Sequence, residues 1–195
     1  MSLRGGIGLP ELPLEDGQEF RLGIMGGTFD PIHYGHLVTA EQARESLDLD
    51  AVLFMPAGSP AFKLDKPVTP AEDRYAMTVL ATAANPAFLA SRFEIDRPGV
   101  TYTADTLHAL RDFYPPQVKL YFITGADAII DIVTWHNASE IAELATFIAA
   151  TRPGLTSIRP GRGLRNRDCR STCAISRFRR WRLARPTFAS GLPAA

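Results

Sequence analysis

The sequence predicts an α/β fold built on a parallel sheet flanked by helices. Short apolar segments alternate with helix-like segments along residues 20–151, at a pitch that suits crossover connections between parallel strands. Several apolar segments are also continuous rather than alternating, as strands covered on both faces are. At 195 residues and 46% hydrophobic composition, the chain is long enough for one domain with a sizeable core. No stretch approaches the roughly 18 consecutive apolar residues of a membrane span.

The elements follow in order. RLGIM (21–25) is a short apolar strand that ends in Gly26-Gly27. Residues 35–49 place Leu37, Ala40, Ala43 and Leu47 at helical spacing with charges between them. AVLFMPA (51–57) is a second apolar strand. Residues 69–84 open with Thr69, Pro70 and then acids, which predicts a helix with Thr69 as cap and proline in its first position. FLASRFEI (88–95) reads as a strand, and 103–114 as a helix with Asp105 in its first turn. VKLYFIT (118–124) is a strand, followed by Gly125 and helices over 126–133 and 139–145; TFIAAT (146–151) is a fifth strand. Ligands of parallel sheets bind beyond the carboxyl ends of the strands. The chemistry is therefore expected in 26–36, 56–66, 96–103, 125–136 and from 152 onward.

Residues 1–19 read as a flexible N-terminal extension, with Gly, Pro and acid where a secretory apolar region would sit. Cys169 and Cys173 are too few for a disulfide framework and have no histidine near them, so reduced thiols in a soluble cytoplasmic protein are expected. The zero net charge conceals a split. Residues 1–151 carry 10 Lys+Arg and 20 Asp+Glu, whereas 152–195 carry 11 Arg and one acid, Asp168.

His33 and His36, two of only four histidines, lie just past the first strand. A helix beginning near Gly35 would point free N–H groups and a partial positive charge back at the Gly26-Gly27 turn, where positive φ is available. Residues three apart at a helix entrance project to one side, so both rings can face one ligand, and a polyphosphate suits that setting. By itself the pair also fits a helix cap, a surface pair or a stray metal pair. There is neither a G-x-G-x-x-G nor a G-K-[ST], which excludes the dinucleotide fingerprint and the P-loop.

The whole stretch GGTFDPIHYGH resembles the G-x-F-x-P-x-H-x-G-H signature of the nucleotidyltransferases related to class I aminoacyl-tRNA synthetases. Later segments are similar to the bacterial nicotinate mononucleotide adenylyltransferases: SPAFK and TPAEDRYAM with Lys63 and Arg74, PGVTYTADTL with Thr101, Tyr102, Thr103 and Asp105, FITGADAI with Gly125 and Asp127, TWHNASEI with Trp135 and His136, and ATRPG with Arg152. The resemblance covers about residues 21–154. It implies a Rossmann-like domain over 20–154 that joins ATP to nicotinate mononucleotide, with magnesium carried by the phosphates. It further implies His36 at the α-phosphate and leaving oxygen, and His33 with Lys63 at the pyrophosphate. Gly26, Gly27, Thr28 and Phe29 would wall the ATP site, with Gly125, Asp127 and Arg152 also on its ATP side. Trp135 would stack on the pyridine ring, with Thr101, Tyr102 and Thr103 near the nicotinate carboxylate. Phosphopantetheine adenylyltransferase shares the first signature, but YTADTL and the Trp135-His136 pair favour the nicotinate branch. No membrane partner is implied, and the sequence leaves a homo-oligomer open.

The resemblance stops after Gly154. The family continues into an Ile-Ser-Ser-Thr-x-Ile-Arg-like helix start that holds ATP phosphates; here Ile175 and Ser176 fit, but Arg177, Phe178 and Trp181 stand where Ser, Thr and Arg belong. Arg makes up 11 of the 44 residues from 152 onward. Three readings compete for 155–195: out-of-frame translation of a GC-rich gene, a basic extension binding nucleic acid through phosphate contacts and stacking of Phe178 and Trp181, and a divergent folded subdomain. The first is favoured, and it would leave the activity of this chain weak or absent.

Overall fold

A computed structural model of the chain describes residues 8–60, 67–125, 141 and 143–150. Among these residues the elements with described bounds run in the order β1 (Phe20–Gly27), α1 (Tyr34–Leu47), β2 (Ala51–Pro56), β3 (Ser59–Pro60), α2 (Ala71–Thr82), β4 (Phe88–Ala90), α3 (Phe93–Asp96), β5 (Val100–Thr101), α4 (Thr103–Phe113), β6 (Val118–Gly125) and β7 (Thr146–Ala150). The main sheet is parallel throughout, in the order β4-β2-β1-β6-β7. The expected α/β architecture is what the chain builds.

The composition of the strands explains the layering. Leu22 and Ile24 of β1 point to one face, where Leu53, Met55, Leu107, Leu110 and Phe122 complete a core beneath α4. Met25 points to the other, where Phe29, Ala40, Ala43, Val52, Phe54 and Ile123 pack beneath α1. A strand buried on both faces must be apolar at every position, and β2 is buried from Ala51 to Pro56. Arg111 of α4 locks that layer, donating to the Val118 carbonyl at 2.9 Å and the Leu144 carbonyl at 2.7 Å.

Strand order fixes where a ligand can enter. From β1 the chain builds outward through β2 to β4, then returns to the other side of β1 with β6 and β7. The direction reverses between β1 and β6, and a crevice opens at such a switch point outside the carboxyl ends. Met25 lies opposite Ile123; continuing that register two residues brings Gly27 level with Gly125.

Three expectations need correction. The strand expected over 88–95 ends at Ala90, because Ser91 turns the chain: its Oγ accepts the Phe93 N–H at 3.1 Å and opens α3. Thr69 does not cap α2. Pro70 holds that position with no side-chain cap, while Thr69 uses its backbone instead, donating to Asp30 Oδ2 at 3.0 Å and accepting from Arg74 Nε at 2.8 Å. Residues 8–14, expected to be a flexible lead-in, lie against the core through Leu9, Leu12 and Leu14. The Ser91 hydroxyl donates to the Gly8 carbonyl at 2.7 Å and Tyr114 Oη to the Pro10 carbonyl at 2.8 Å. The helix expected over 126–133 lies outside the described residues, and of 139–145 only Ile141, Glu143 and Leu144 are described as helical. No helix among the described residues is long and apolar enough to cross a membrane.

Candidate active site at the carboxyl edge of the sheet

Because all five strands of the main sheet are parallel, the loops after β1, β2, β4 and β6 share one edge. Most sequence-predicted site residues that are described fall there. Gly26 and Gly27 are the last residues of β1 and Gly125 is the last of β6. Thr101, Tyr102 and Thr103 close β5 and open α4, with Tyr102 exposed. Lys63, Asp127, Trp135, His136, Arg152 and the tail from 155 lie outside the described residues.

The turn out of β1 differs from expectation. Neither Gly26 nor Gly27 has positive φ; Phe29 does, at 49°. A bulky residue in the left-handed region is strained. Packing holds it there: Phe29 is 3% exposed, its ring rests against Gly27, and it meets Phe54 at 6.0 Å and His36 edge-on at 5.1 Å. The glycines serve a different end, since a Cβ on Gly26 would stand 3.2 Å from the Phe122 ring and one on Gly27 3.3 Å from Phe29.

His33 sits at the N-cap of α1 in extended conformation, and His36 follows one turn on. Their rings stack, with centroids 3.8 Å apart. The His33 backbone N–H donates to His36 Nδ1 at 3.2 Å, so that nitrogen is an acceptor and the proton of the neutral ring belongs on Nε2. His36 therefore presents an N–H donor from a fixed tautomer. Gly35 makes the stack possible: a Cβ there would stand 2.9 Å from His33 Cε1. The spacing His-x-Gly-His thus has a steric reason, which the sequence does not state by itself. No acidic residue occupies the first turn of α1, so nothing there offsets the positive end of the helix dipole.

A second short parallel ladder, β3 with β5, pairs Ser59 with Val100 and Pro60 with Thr101. It binds the loop after β2 to the loop that carries Thr101 and Tyr102. Beneath it lie two buried charged groups that sequence reasoning gave no role. Arg74 is 1% exposed and hydrogen-bonds three carbonyls. Glu94 is buried, accepts the Thr106 hydroxyl at 2.6 Å, and is pushed up to about 7 by burial, against the opposing pull of Thr106 and Arg97. One signal could have found Arg74. Arg74, Thr78 and Thr82 recur every fourth residue of α2 and are all buried, so the inward stripe of this helix is polar where an apolar one is the rule.

Gly58 connects the two groups, its carbonyl bonded to Arg74 Nη2 at 3.1 Å and its Cα against the backbone of Glu94 and Ile95. An added Cβ would fall inside the contact distance of the Glu94 carbonyl oxygen, a backbone atom that cannot rotate away. Gly58→Ala is therefore expected to lower stability by about 2 kcal/mol, as overpacking does; urea unfolding with an unchanged midpoint would contradict this contact.

Known proteins share this chain's pattern. The cytidylyltransferase-like family profile matches residues 24–188. A protein of Thermoanaerobacter sp. (strain X514) named "Probable nicotinate-nucleotide adenylyltransferase" is 56% identical over 138 residues, 71% of this chain and 65% of that protein. One of the same name from Moorella thermoacetica is 61% identical over 134 residues, 69% of this chain and 62% of its own length. The chain thus spans a little under two thirds of these relatives. Among solved structures, Plasmodium falciparum nicotinic acid mononucleotide adenylyltransferase complexed with NaAD superposes with a TM-score of 0.61 at 22% identity, covering 72% of this chain and 68% of the other. That likeness establishes the fold.

Proposed function

The chain belongs to the cytidylyltransferase-like family, and on that premise we propose that it transfers the adenylyl group of ATP to nicotinate mononucleotide, a step of NAD biosynthesis in the cytoplasm. A phosphate oxygen of the mononucleotide attacks the α-phosphorus of ATP. The bond from that phosphorus to the bridging oxygen breaks, and pyrophosphate leaves with the electron pair. The nucleophile is already an anion, so no strong base is required; the barrier lies in bringing anions together and in the charge that grows on the transferring group.

The observation that carries this reading is the stacked histidine pair at the α1 N-terminus, beside the switch point. His36 Nε2 is assigned to the α-phosphate and leaving oxygen, and His33 with Lys63 to the pyrophosphate. Gly26 to Phe29 form the backbone wall, with Gly125, Asp127 and Arg152 on the ATP side. Thr101, Tyr102 and Thr103 receive the nicotinate carboxylate, and Trp135 stacks on its ring. Magnesium carried with ATP would neutralise phosphate charge; among the described residues no group of three or more His, Cys, Asp or Glu side chains could hold a metal ion.

Incubation with magnesium, ATP and nicotinate mononucleotide is expected to yield nicotinate adenine dinucleotide and pyrophosphate in equal amounts, resolved by chromatography. Turnover with phosphopantetheine in place of the mononucleotide would move the chain to the other branch. For 155–195 we keep the out-of-frame reading; sequencing the gene tests it, and it is lost when a one-nucleotide shift restores no Ser-Ser-Thr-like helix start.

A further inference from the structure

We infer that Arg74 is a positioning residue for this transfer, a buried guanidinium that sets the peptide planes on both sides of the site. Its three donor directions go to three separate segments. Nη1 donates to the Thr28 carbonyl at 2.6 Å, Nη2 to Gly58 at 3.1 Å and Nε to Thr69 at 2.8 Å. These are the loop after β1, the loop after β2 and the entry to α2. Asp30 closes the frame, since its Oδ2 accepts the Thr69 N–H at 3.0 Å and its charge favours the cationic Arg74 against the burial that opposes it.

The arrangement is hard to explain as packing alone. Desolvating a guanidinium is costly, and an apolar side chain of similar volume would fill the same space without that cost. What an apolar chain cannot do is orient carbonyls. In a trans peptide the C=O and the following N–H point in opposite directions. Holding the Thr28 carbonyl inward on Arg74 therefore turns the Phe29 N–H outward, in the segment proposed to wall the ATP phosphates, and steadies Phe29 in its left-handed conformation. Holding the Gly58 carbonyl fixes the residue before β3, whose pairing with β5 sets the level of Thr101 on the nicotinate side. One planar, rigid fork thus reaches both substrates' loops; a lysine ammonium lacks that geometry.

The inference rests on the adenylyl-transfer reading for its kinetic arm only. Arg74→Met is expected to lower kcat on the order of 10²-fold, the scale of a small misplacement of reacting groups, while KM for ATP changes less than about threefold; the urea midpoint falls as well, because three carbonyls lose their donor. Arg74→Lys restores the charge and is expected to recover less than a tenth of the lost kcat. The second arm is amide hydrogen exchange on the full chain, where the amides of residues 28–30, 58 and 59 are expected to exchange at least ten times faster in both variants, with β6 unchanged. Wild-type kcat in Arg74→Lys, or unchanged exchange at those two loops, overturns the positioning role. Absence of turnover in the wild type sinks the adenylyl-transfer reading instead, and exchange still decides for or against Arg74; should the Met variant not fold, the Lys variant carries both arms.

Discussion

Replacing His36 with alanine is expected to cut turnover of ATP and nicotinate mononucleotide on the order of 10²–10³-fold while the domain stays folded. The first half follows from the role assigned to the ring. His33 N–H occupies Nδ1, so Nε2 is the nitrogen that can donate to a phosphate oxygen as charge develops. Loss of one such preorganised donor removes about 3–4 kcal/mol of transition-state stabilisation. The second half follows from where the ring sits. His36 is half-buried at the helix entrance, and the residues that anchor α1 in the core are Ala40 and Ala43, further along. Deletion also costs the bond to the His33 N–H and the stacking of the two rings, a loss comparable to that of a helix cap, about 1 kcal/mol. Steady-state kcat and a urea unfolding curve on the same preparation check both halves. A variant with near-native kcat would remove His36 from the mechanism.

What the sequence revealed and concealed divides along physical lines. Burial on two faces forces continuous apolar runs in β1 and β2, and the largely apolar β6 and β7 stand out too although they are only partly buried, so the carboxyl edge where His33 and His36 fall was visible in composition. Elements decided by single hydrogen bonds were not. Residues 88–95 look apolar enough for a strand, yet the Ser91 hydroxyl draws the Phe93 N–H into a turn and ends β4 after three residues. Thr69 has the right chemistry for a cap and spends its backbone on Asp30 and Arg74 instead. Glycines invited the assumption of a left-handed turn, whereas the strain fell on Phe29, because Phe122 stands against Gly26 and Phe29 against Gly27, with Phe54 and His36 packed on the Phe29 ring. Leu9, Leu12 and Leu14 alternate with prolines and acids, a pattern that reads as a loose tail until the groove it fills is known. The roles of Arg74, named in the sequence only as part of a motif, and of Glu94 were the most hidden. A charged residue in a helix is ordinarily a solvated one; the polar stripe of α2 hints that Arg74 turns inward, but not at the three carbonyls that receive it, nor at the threonine hydroxyl bonded to Glu94.

Glu94 makes the second large effect a matter of pH. Its carboxyl ordinarily releases its proton near 4.5, and in the folded chain burial moves this up to about 7. Below the lower value both folded and unfolded chains hold the proton, and the group is neutral to stability. Between the two, the folded chain holds a proton the unfolded chain has released, so stability falls as pH rises; above 7 both are ionised and the full cost of a buried carboxylate is present. At 1.36 kcal/mol per unit this amounts to roughly 3 kcal/mol. The charges around the carboxyl do not remove it. Arg97 pulls the value down, but its own guanidinium is shared with Asp105 of α4 at 3.8 Å, and the Thr106 hydroxyl offers one neutral donor. Glu94→Gln keeps the shape and an oxygen that can accept from Thr106, and it cannot ionise. Its stability advantage over the wild type is therefore expected to grow from near zero at pH 4.5 to about 3 kcal/mol at pH 8, read by urea unfolding of both chains across that range. Every other titrating group is common to the two proteins, so the difference isolates this one carboxyl. Two parallel stability curves would mean that Glu94 is ionised in the folded chain at no cost, and that the ground beneath the β3–β5 ladder is wetter than its burial implies.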